Sequence, residues 1–268
     1  VAEITRGNIG AGADGAFIDY DNPINTTPDP DEDFSTYTTQ TEADAAWVPN
    51  SSNGSVDISS DFLDIIICGD CNGVDTAYFY YDLGSPASDE WILRWMINFD
   101  SLGSNTNGDY ISVGLSDKSD WETADVPSLG TRDFIGLTVR LNPTGTGNYE
   151  YTTTDMDDQN IQYDTGDDQV PFTPSTSTDY FFEIAKDGGS YTVSRYTDDT
   201  YGTVADSASG SSDASGLQYI KVASWIHSSP YSTTSAEIDD IKFYDGAMET
   251  SLTTKQIANP LIEDTYAD

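Results

Sequence analysis

The stretch that decides the fold lies near the end of the chain and runs Ala236-Glu237-Ile238-Asp239-Asp240-Ile241-Lys242-Phe243-Tyr244-Asp245-Gly246. Apolar and polar residues alternate along most of it, which is typical of a half-buried β-strand. Ile238 is out of phase with Ile241 and Phe243, so we expect a β-bulge at Asp239-Asp240 that brings all three to one face. The pattern stops after Gly246, and the segment is therefore predicted to be the closing strand of the domain.

Short strands are predicted throughout the chain upstream of this segment. The clearest covers residues 91–99, where Trp91, Trp95 and Phe99 fall on one face and Ile92 adds apolar surface to the other, which indicates a central strand. Residues 180–185 and 191–196 flank an Asp-Gly-Gly turn and predict a hairpin. A short helix or turn is expected at residues 41–47, which start with a capping-box-like Thr41…Asp44 pair. We expect about eleven to thirteen strands in two packed sheets, an all-β antiparallel sandwich.

Several of these segments resemble one known family. The closing strand and the segments 110–117 (YISVGLSD), 133–141 (DFIGLTVRL) and 218–225 (QYIKVASW) resemble the concanavalin A-like lectin/glucanase (laminin-G-like) jelly-roll domains, in the form found in secreted proteins of marine microbes. The resemblance covers roughly residues 34–246. It implies a concanavalin A-like jelly roll, which hosts lectins, glycosidases and structural modules alike.

The chain is expected to have three parts, which are an extended N-terminal arm (1–33), the sandwich (34–246) and a C-terminal tail (247–268). In the arm, Phe17, Ile18 and Tyr20 belong to an alternating segment that would pair with a sheet edge of another copy. Our first functional hypothesis is therefore a non-catalytic extracellular structural protein that self-assembles into a cell-surface filament, layer or virion-like appendage. Val1 is not an initiator methionine, and we expect that a signal peptide has been removed.

The charge excludes whole classes of partner. The chain has 10 Lys+Arg against 47 Asp+Glu, a formal net charge of −37, which repels nucleic acids and anionic lipid headgroups. No apolar run approaches the ~18 residues of a membrane span.

In a secreted protein, Cys68 and Cys71 are expected to form a local disulfide. The sequons at Asn25, Asn50 and Asn53 are candidate glycosylation sites.

Aspartate makes up 37 of the 47 acids, and it is both a turn residue and a hard oxygen ligand. Two acid-dense segments are candidate calcium sites, the first with Asp155, Asp157 and Asp158 and the second with Asp164, Asp167 and Asp168. The alternative is a solvated acidic surface suited to salty water, where screening reduces self-repulsion. Calcium is thus the one cofactor that the sequence suggests.

Catalysis is not expected, and no catalytic residue is assigned. Glycosidases of the resembled family carry a Glu-x-Asp-x-(x)-Glu strand motif, and retaining enzymes need two carboxyl groups about 5–5.5 Å apart. Glu237 and Asp239 match the first two positions, but Ile241 or Lys242 stands at the third. A degenerate glycoside hydrolase is the remaining enzymatic alternative.

The second functional hypothesis is a calcium-dependent, lectin-like module for adhesion to glycans. Sugar sites combine aromatic rings with amide and carboxylate groups, because sugar C–H faces stack on rings while hydroxyls need hydrogen-bond partners. The aromatic residues available for stacking are Tyr78–Tyr81, Trp121, Trp225 and Tyr231, most of which are expected to pack between the sheets. Trp121, Trp225 and Tyr231 are the candidate carbohydrate-binding residues. The expected partners are therefore copies of the chain itself and, in this second hypothesis, surface glycans.

Overall fold

A computed structural model describes residues 27–51, 55–59, 62–66, 76–102, 109–119, 133–141, 149–157, 160–163, 169–226 and 235–246. These parts contain one helix, α1 (Gln40–Ala46), and sixteen strands. The strands are β1 (Asp31–Glu32), β2 (Trp47–Ser51), β3 (Ser55–Ser59), β4 (Phe62–Ile66), β5 (Thr76–Asp82), β6 (Glu90–Ser101), β7 (Asp109–Ser116), β8 (Phe134–Leu141), β9 (Tyr149–Asp157), β10 (Asn160–Tyr163), β11 (Gln169–Pro171), β12 (Asp179–Asp187), β13 (Ser190–Tyr196), β14 (Val204–Ser211), β15 (Tyr219–Ile226) and β16 (Ser235–Asp245).

The strands form two antiparallel sheets that pack face to face. Sheet A has the order β14-β13-β12-β6-β16-β4-β3, with β1 also paired to β16. Sheet B has the order β10-β9-β8-β7-β15-β5-β2, with β11 also paired to β9. This architecture confirms the predicted two-sheet sandwich. The structure has more strands than we expected from the sequence, partly because strands as short as β1 and β11 give no periodic signal.

The core lies between the sheets and is built from alternate residues of the central strands. In β6, which lies between β12 and β16, Trp91, Trp95 and Phe99 are at most 1% exposed. Opposing residues such as Val113 of β7 and Val222 of β15 come from sheet B. Burying each large side chain contributes roughly 1.5–3 kcal/mol. The outer side of β6 is covered too, since Ile92 is buried in a small cluster, which confirms the predicted central strand.

Two local predictions are confirmed. The strands β12 and β13 form the expected hairpin, closed by the pair Asp187 and Ser190 with Gly188 at a φ of 57°. In β16 the register against β6 shifts between Asp239 and Lys242, and Asp240 has a φ of 55°, which is the predicted bulge. The one extra residue brings Ile241 into phase with the core.

The helix begins at Gln40, one residue before its expected start. Thr39 is the N-cap, and its hydroxyl accepts a hydrogen bond from the Glu42 backbone N–H at 3.3 Å. The Glu42 carboxylate in turn accepts from Thr38 N at 2.9 Å. The capping pair is therefore Thr39 with Glu42, because Glu42 is the acid three residues after the cap.

The last residues of the expected arm belong to the sandwich of the same chain. Asp31 and Glu32 pair with β16, and Asp29 N donates to Phe243 O at 2.7 Å. The sandwich thus begins earlier than the expected boundary at Phe34. Several predicted features lie outside the described residues. They are the assembly residues Phe17, Ile18 and Tyr20, the cysteines Cys68 and Cys71, the sequon residues Asn25 and Asn53, and the tail 247–268.

Candidate functional site

The outer face of sheet B, which is the face turned away from sheet A, carries an unusual set of side chains. Along β15, Ile220 and Val222 enter the core, so the alternating residues Tyr219, Lys221 and Ala223 belong to the outer face. The same alternation places these further residues there: Tyr78 and Tyr80 of β5, Ser112 of β7, and Phe134 and Thr138 of β8.

The middle of this face is buried. Tyr78, Phe134 and Ala223 form an apolar cluster, with Tyr80 packed against it. Lys221 is 0% exposed, and its ammonium lies 5.6 Å from the centre of the Tyr78 ring, in range of a cation–π interaction. This part of the face is therefore a second small core and is closed to a large ligand.

Two glycines on the outer face of sheet B leave space that a side chain would otherwise fill. Gly114 of β7 and Gly136 of β8 lie opposite each other. A Cβ on Gly114 would lie 2.2 Å from Ile135 O, and one on Gly136 would lie 2.4 Å from the Phe134 ring. Gly136 thus leaves room for the Phe134 ring, and Gly114 lets the backbones of β7 and β8 come close together.

One end of the outer face is open to solvent. Tyr80 and Tyr219 are half-buried, and their rings meet edge to face with centroids 5.5 Å apart at 89°. Asp82 lies opposite Tyr219 in the register and accepts a hydrogen bond from the Gln218 amide at 2.8 Å. We call these four residues the tyrosine platform. It combines aromatic rings with a carboxylate and an amide.

The platform keeps a hydrogen-bond donor at neutral pH. Burial raises the pKa of Tyr219, and the nearby Asp82 and Tyr80 add to that rise. The phenol of Tyr219 therefore stays protonated, while the exposed Asp82 carboxylate supplies acceptor oxygens. A ligand rich in hydroxyl groups would find both kinds of partner.

The outer face of sheet A instead holds a polar network that satisfies its own members. Arg94 binds Glu183 through Nε at 2.7 Å, and Tyr196 donates to the other Glu183 oxygen at 2.8 Å. The rings of Tyr201 and Tyr244 lie 4.7 Å and 5.4 Å from the Arg94 guanidinium. These side chains are held together in a structural cluster.

The glucanase-like motif is not completed on β16. Ile241 is fully buried in the core, and Lys242 forms an ion pair with Asp240 at the bulge. Neither residue can act as the carboxylic acid that the motif needs at its third position. Glu237 and Asp239 lie in β16 at the first two positions of the motif.

The other sequence-predicted site residues lie either in separate strands or outside the described residues. Trp225 lies in β15 between Thr76 and Tyr110, and Asn50 lies in β2. Asp155 and Asp157 lie in β9, which forms a hairpin with β10. Outside the described residues lie Trp121, Tyr231, Asp158, Asp164, Asp167 and Asp168. Within the described parts there is no group of three or more side chains suited to hold a metal ion.

The sequence analysis named the aromatic run Tyr78–Tyr81 but did not assign the platform as a site. Tyr80 lies in a run of four residues with three tyrosines, Tyr78 to Tyr81, in which the register sends Phe79 into the core and leaves Tyr80 half exposed. Tyr219 and Asp82 lie far apart in the chain and meet only through the pairing of β5 with β15. The available signal was the alternation in residues 218–225, which marks Tyr219 and Lys221 as sharing a face.

Comparison with known proteins supports the fold. No protein-family model and no curated protein matches the sequence. Solved structures do match the fold. The alginate lyase Aly36B has a TM-score of 0.52 at 15% identity, covering 79% of this chain and 94% of that one. The metal-free carbohydrate recognition domain of Emp46p has a TM-score of 0.55 at 12% identity, covering 81% and 96%. The corresponding domain of Emp47p has a TM-score of 0.53 at 14% identity, covering 81% and 94%.

These likenesses confirm the predicted concanavalin A-like jelly-roll fold. Among the described residues, no helix has the length and apolar character that crossing a membrane requires.

Proposed function

We propose that this chain is an extracellular, non-catalytic glycan-binding module whose contact surface is the tyrosine platform. The observation that carries the proposal is the right-angled pair of Tyr80 and Tyr219 beside the Asp82 carboxylate and the Gln218 amide. A sugar would stack its C–H face on an exposed ring and direct its hydroxyls to the polar groups.

The compared structures support this choice over a purely structural role. Emp46p and Emp47p are represented by carbohydrate recognition domains, and Aly36B is an alginate lyase. Proteins of this fold thus include several that handle sugars. Because Asp29 to Glu32 pair within their own chain, the described part of the arm gives no support to assembly, and the glycan-binding hypothesis takes precedence.

Calcium and self-assembly are finer proposals that stand beside this one. One structure of the Emp46p domain is a potassium-bound form, so a domain of this fold binds a cation. Assembly through Phe17, Ile18 and Tyr20, and calcium binding by the aspartates around Asp157, stay predictions because those side chains lie outside the described residues. The platform itself needs neither.

The test is titration of the purified protein with a panel of neutral and uronate oligosaccharides, followed by isothermal calorimetry. Tyr80→Ala and Tyr219→Ala should each weaken binding about 5- to 30-fold, since truncating a central aromatic contact costs about 1–2 kcal/mol. Tyr80→Phe keeps the ring and should retain most of the affinity. Thr192→Ala on sheet A is the matched control. Unchanged affinity in both alanine variants, or no binding across the panel, would refute the proposal.

A further inference from the structure

The four sheet edges differ in how well they are protected. Exposed strand edges invite pairing with other chains, and proteins block them with proline, charge or shortness. In sheet B, β2 contains Pro49, and the opposite edge consists of β10, which has four residues, and β11, which has three and ends in Pro171. In sheet A, the edge strand β3 carries Asp57. On the same side of β16, beyond the end of β4, lies β1, which consists of two acidic residues. The remaining edge is β14.

β14 is less well protected than the other three edges, although Cα atoms of β9 and β11 of sheet B come within 8 Å of it. It has eight residues, Val204-Ala-Asp-Ser-Ala-Ser-Gly-Ser211, without proline or lysine. Its one charge, Asp206, is neutralised by an ion pair with Arg195 of the neighbouring strand. Val204 at its start is 49% exposed and is one of two exposed large hydrophobic residues in the described parts of the chain. In a molecule with a net charge of −37, this strand is a locally neutral edge.

The alternation of hydrogen-bonded and non-bonded pairs between β13 and β14 shows which backbone groups of β14 face outward. Ser212 N donates to Gly189 O at 3.0 Å, and the next pair in the register is Ser190 with Ser211. Bonded and non-bonded pairs alternate in an antiparallel ladder, so Ser207, Ser209 and Ser211 turn their backbone N–H and C=O groups to the free edge. The Thr192 and Ser209 hydroxyls lie 3.0 Å apart, as the closer side chains of a non-bonded pair should.

We propose that β14 pairs antiparallel with β14 of a second copy, with the two-fold axis at Ser209, so that two sheets A become one continuous sheet. Ser207 would face Ser211 of the other copy, Ser209 would face Ser209, and Ser211 would face Ser207. Each of these three pairs exchanges two bonds, about six in total. The edge Ser207-Ala208-Ser209-Gly210-Ser211 presents equivalent small residues in both directions, which suits a second copy of itself. This inference does not depend on glycan binding.

The charge of the molecule sets the condition for pairing. Two chains of −37 repel each other at low ionic strength, and the Debye length falls from about 10 Å at 0.1 M to about 3 Å at 1 M salt. Association should therefore strengthen as sodium chloride is raised, because the paired edge itself carries no uncompensated charge.

Sedimentation velocity of the full chain over a range of protein and salt concentrations tests the proposal. Wild type should show a monomer–dimer equilibrium that favours the dimer at high salt. Ser209→Pro removes a donor that faces the free edge and should weaken dimerisation by more than about tenfold, whereas Ser209→Ala should dimerise like wild type. Circular dichroism should show both variants folded. If Ser209→Pro fails to fold, Ser209→Lys replaces it, because two lysines at the axis repel each other.

Three outcomes would overturn the proposal. The first is a wild-type chain that stays monomeric at every salt concentration. The second is dimerisation that survives both Ser209→Pro and Ser209→Lys. The third is dimerisation that is lost in Ile18→Asp and kept in Ser209→Lys, which would assign the contact to the N-terminal arm.

Discussion

Glu32 shows how one residue fastens the start of the sandwich. It is only 8% exposed, and its carboxylate accepts hydrogen bonds from Phe34 N at 2.8 Å, the Tyr37 hydroxyl at 2.5 Å and the Trp47 indole at 3.3 Å. A buried carboxylate is tolerated when its oxygens are hydrogen-bonded. Glu32 therefore links β1 to the aromatic residues around α1.

We expect Glu32→Ala to lower the free energy of unfolding by about 2–4 kcal/mol, because three donors near the core lose their acceptor. Urea unfolding followed by tryptophan fluorescence measures the change. Asp31→Ala, at the exposed neighbouring position, is the control and should change stability by less than about 0.5 kcal/mol. Equal effects of the two substitutions would show that Glu32 is not the fastening residue.

Tyr201 makes stability depend on alkaline pH. Burial raises the pKa of Tyr201 above its usual value of 10.0, and the negative charge of Asp240 adds to that rise. A raised folded-state pKa means that the stabilisation is complete below about pH 10 and is lost as pH rises further. Tyr37 and Tyr196 shift in the same direction, again chiefly through burial.

Replacing Tyr201 by Phe should therefore reduce the loss of thermal stability between about pH 9 and pH 12. The ring keeps its edge-to-face contacts with Phe181 and Tyr196, and the hydroxyl contact to Trp95 O is long at 3.4 Å. At pH 7 the two proteins should melt within a few degrees of each other. An identical alkaline decline in variant and wild type would remove Tyr201 from this explanation.

Among the elements, the bulge in β16 has the clearest mechanical role. Without it, Ile238 and Ile241 would fall on opposite faces, and one of them would leave the core. Asp240 carries the local cost, since its φ of 55° is a left-handed conformation that a non-glycine residue adopts with strain. Aspartate is among the residues that tolerate it best.

Substitutions at Asp240 should follow backbone conformation more than charge. Asp240→Val should destabilise by about 1–3 kcal/mol, because a β-branched residue is strongly disfavoured at positive φ. Asp240→Gly loses the ion pair with Lys242 but relieves the strain, and should stay within about 1 kcal/mol of wild type. Thermal denaturation compares them. If Gly destabilised as much as Val, the ion pair rather than the backbone would govern the bulge.

Local patterns explain what the sequence could and could not predict at this scale. The bulge, the hairpin at Gly188 and the central strand β6 were predictable, because each depends on alternation or turn chemistry within a dozen residues. The platform was not, because Tyr80, Asp82 and Tyr219 come together only through the pairing of β5 with β15. The helix start was placed one residue too late, because the cap is Thr39 with Glu42 and not the expected Thr41 with Asp44.

At the scale of the whole molecule, the two sheets divide their surfaces by function. Sheet A has a satisfied ionic network on its outer face and one unprotected edge. Sheet B has a buried second core and the open tyrosine platform. A net charge of −37 spread over this sandwich makes self-repulsion the dominant long-range force. The aspartate-rich segments around Asp157 and Asp167 are the sequence-predicted calcium sites, where bound cations would reduce this repulsion.

We predict that calcium stabilises the folded chain at these segments. A cation bound only by the folded state adds about 2.7 kcal/mol at a hundred times its dissociation constant, which raises the melting temperature by roughly 5–10 °C in a domain of this size. Adding a chelator at fixed ionic strength should remove that increment. Asp157→Ala and Asp167→Ala should shrink the response to the chelator, because each removes a hard oxygen ligand. Asp213→Ala, which deletes an exposed acid elsewhere, is the control for charge alone and should leave the response intact. A melting temperature that rises with sodium chloride yet ignores the chelator in every variant would show that the acids serve only as a screened surface.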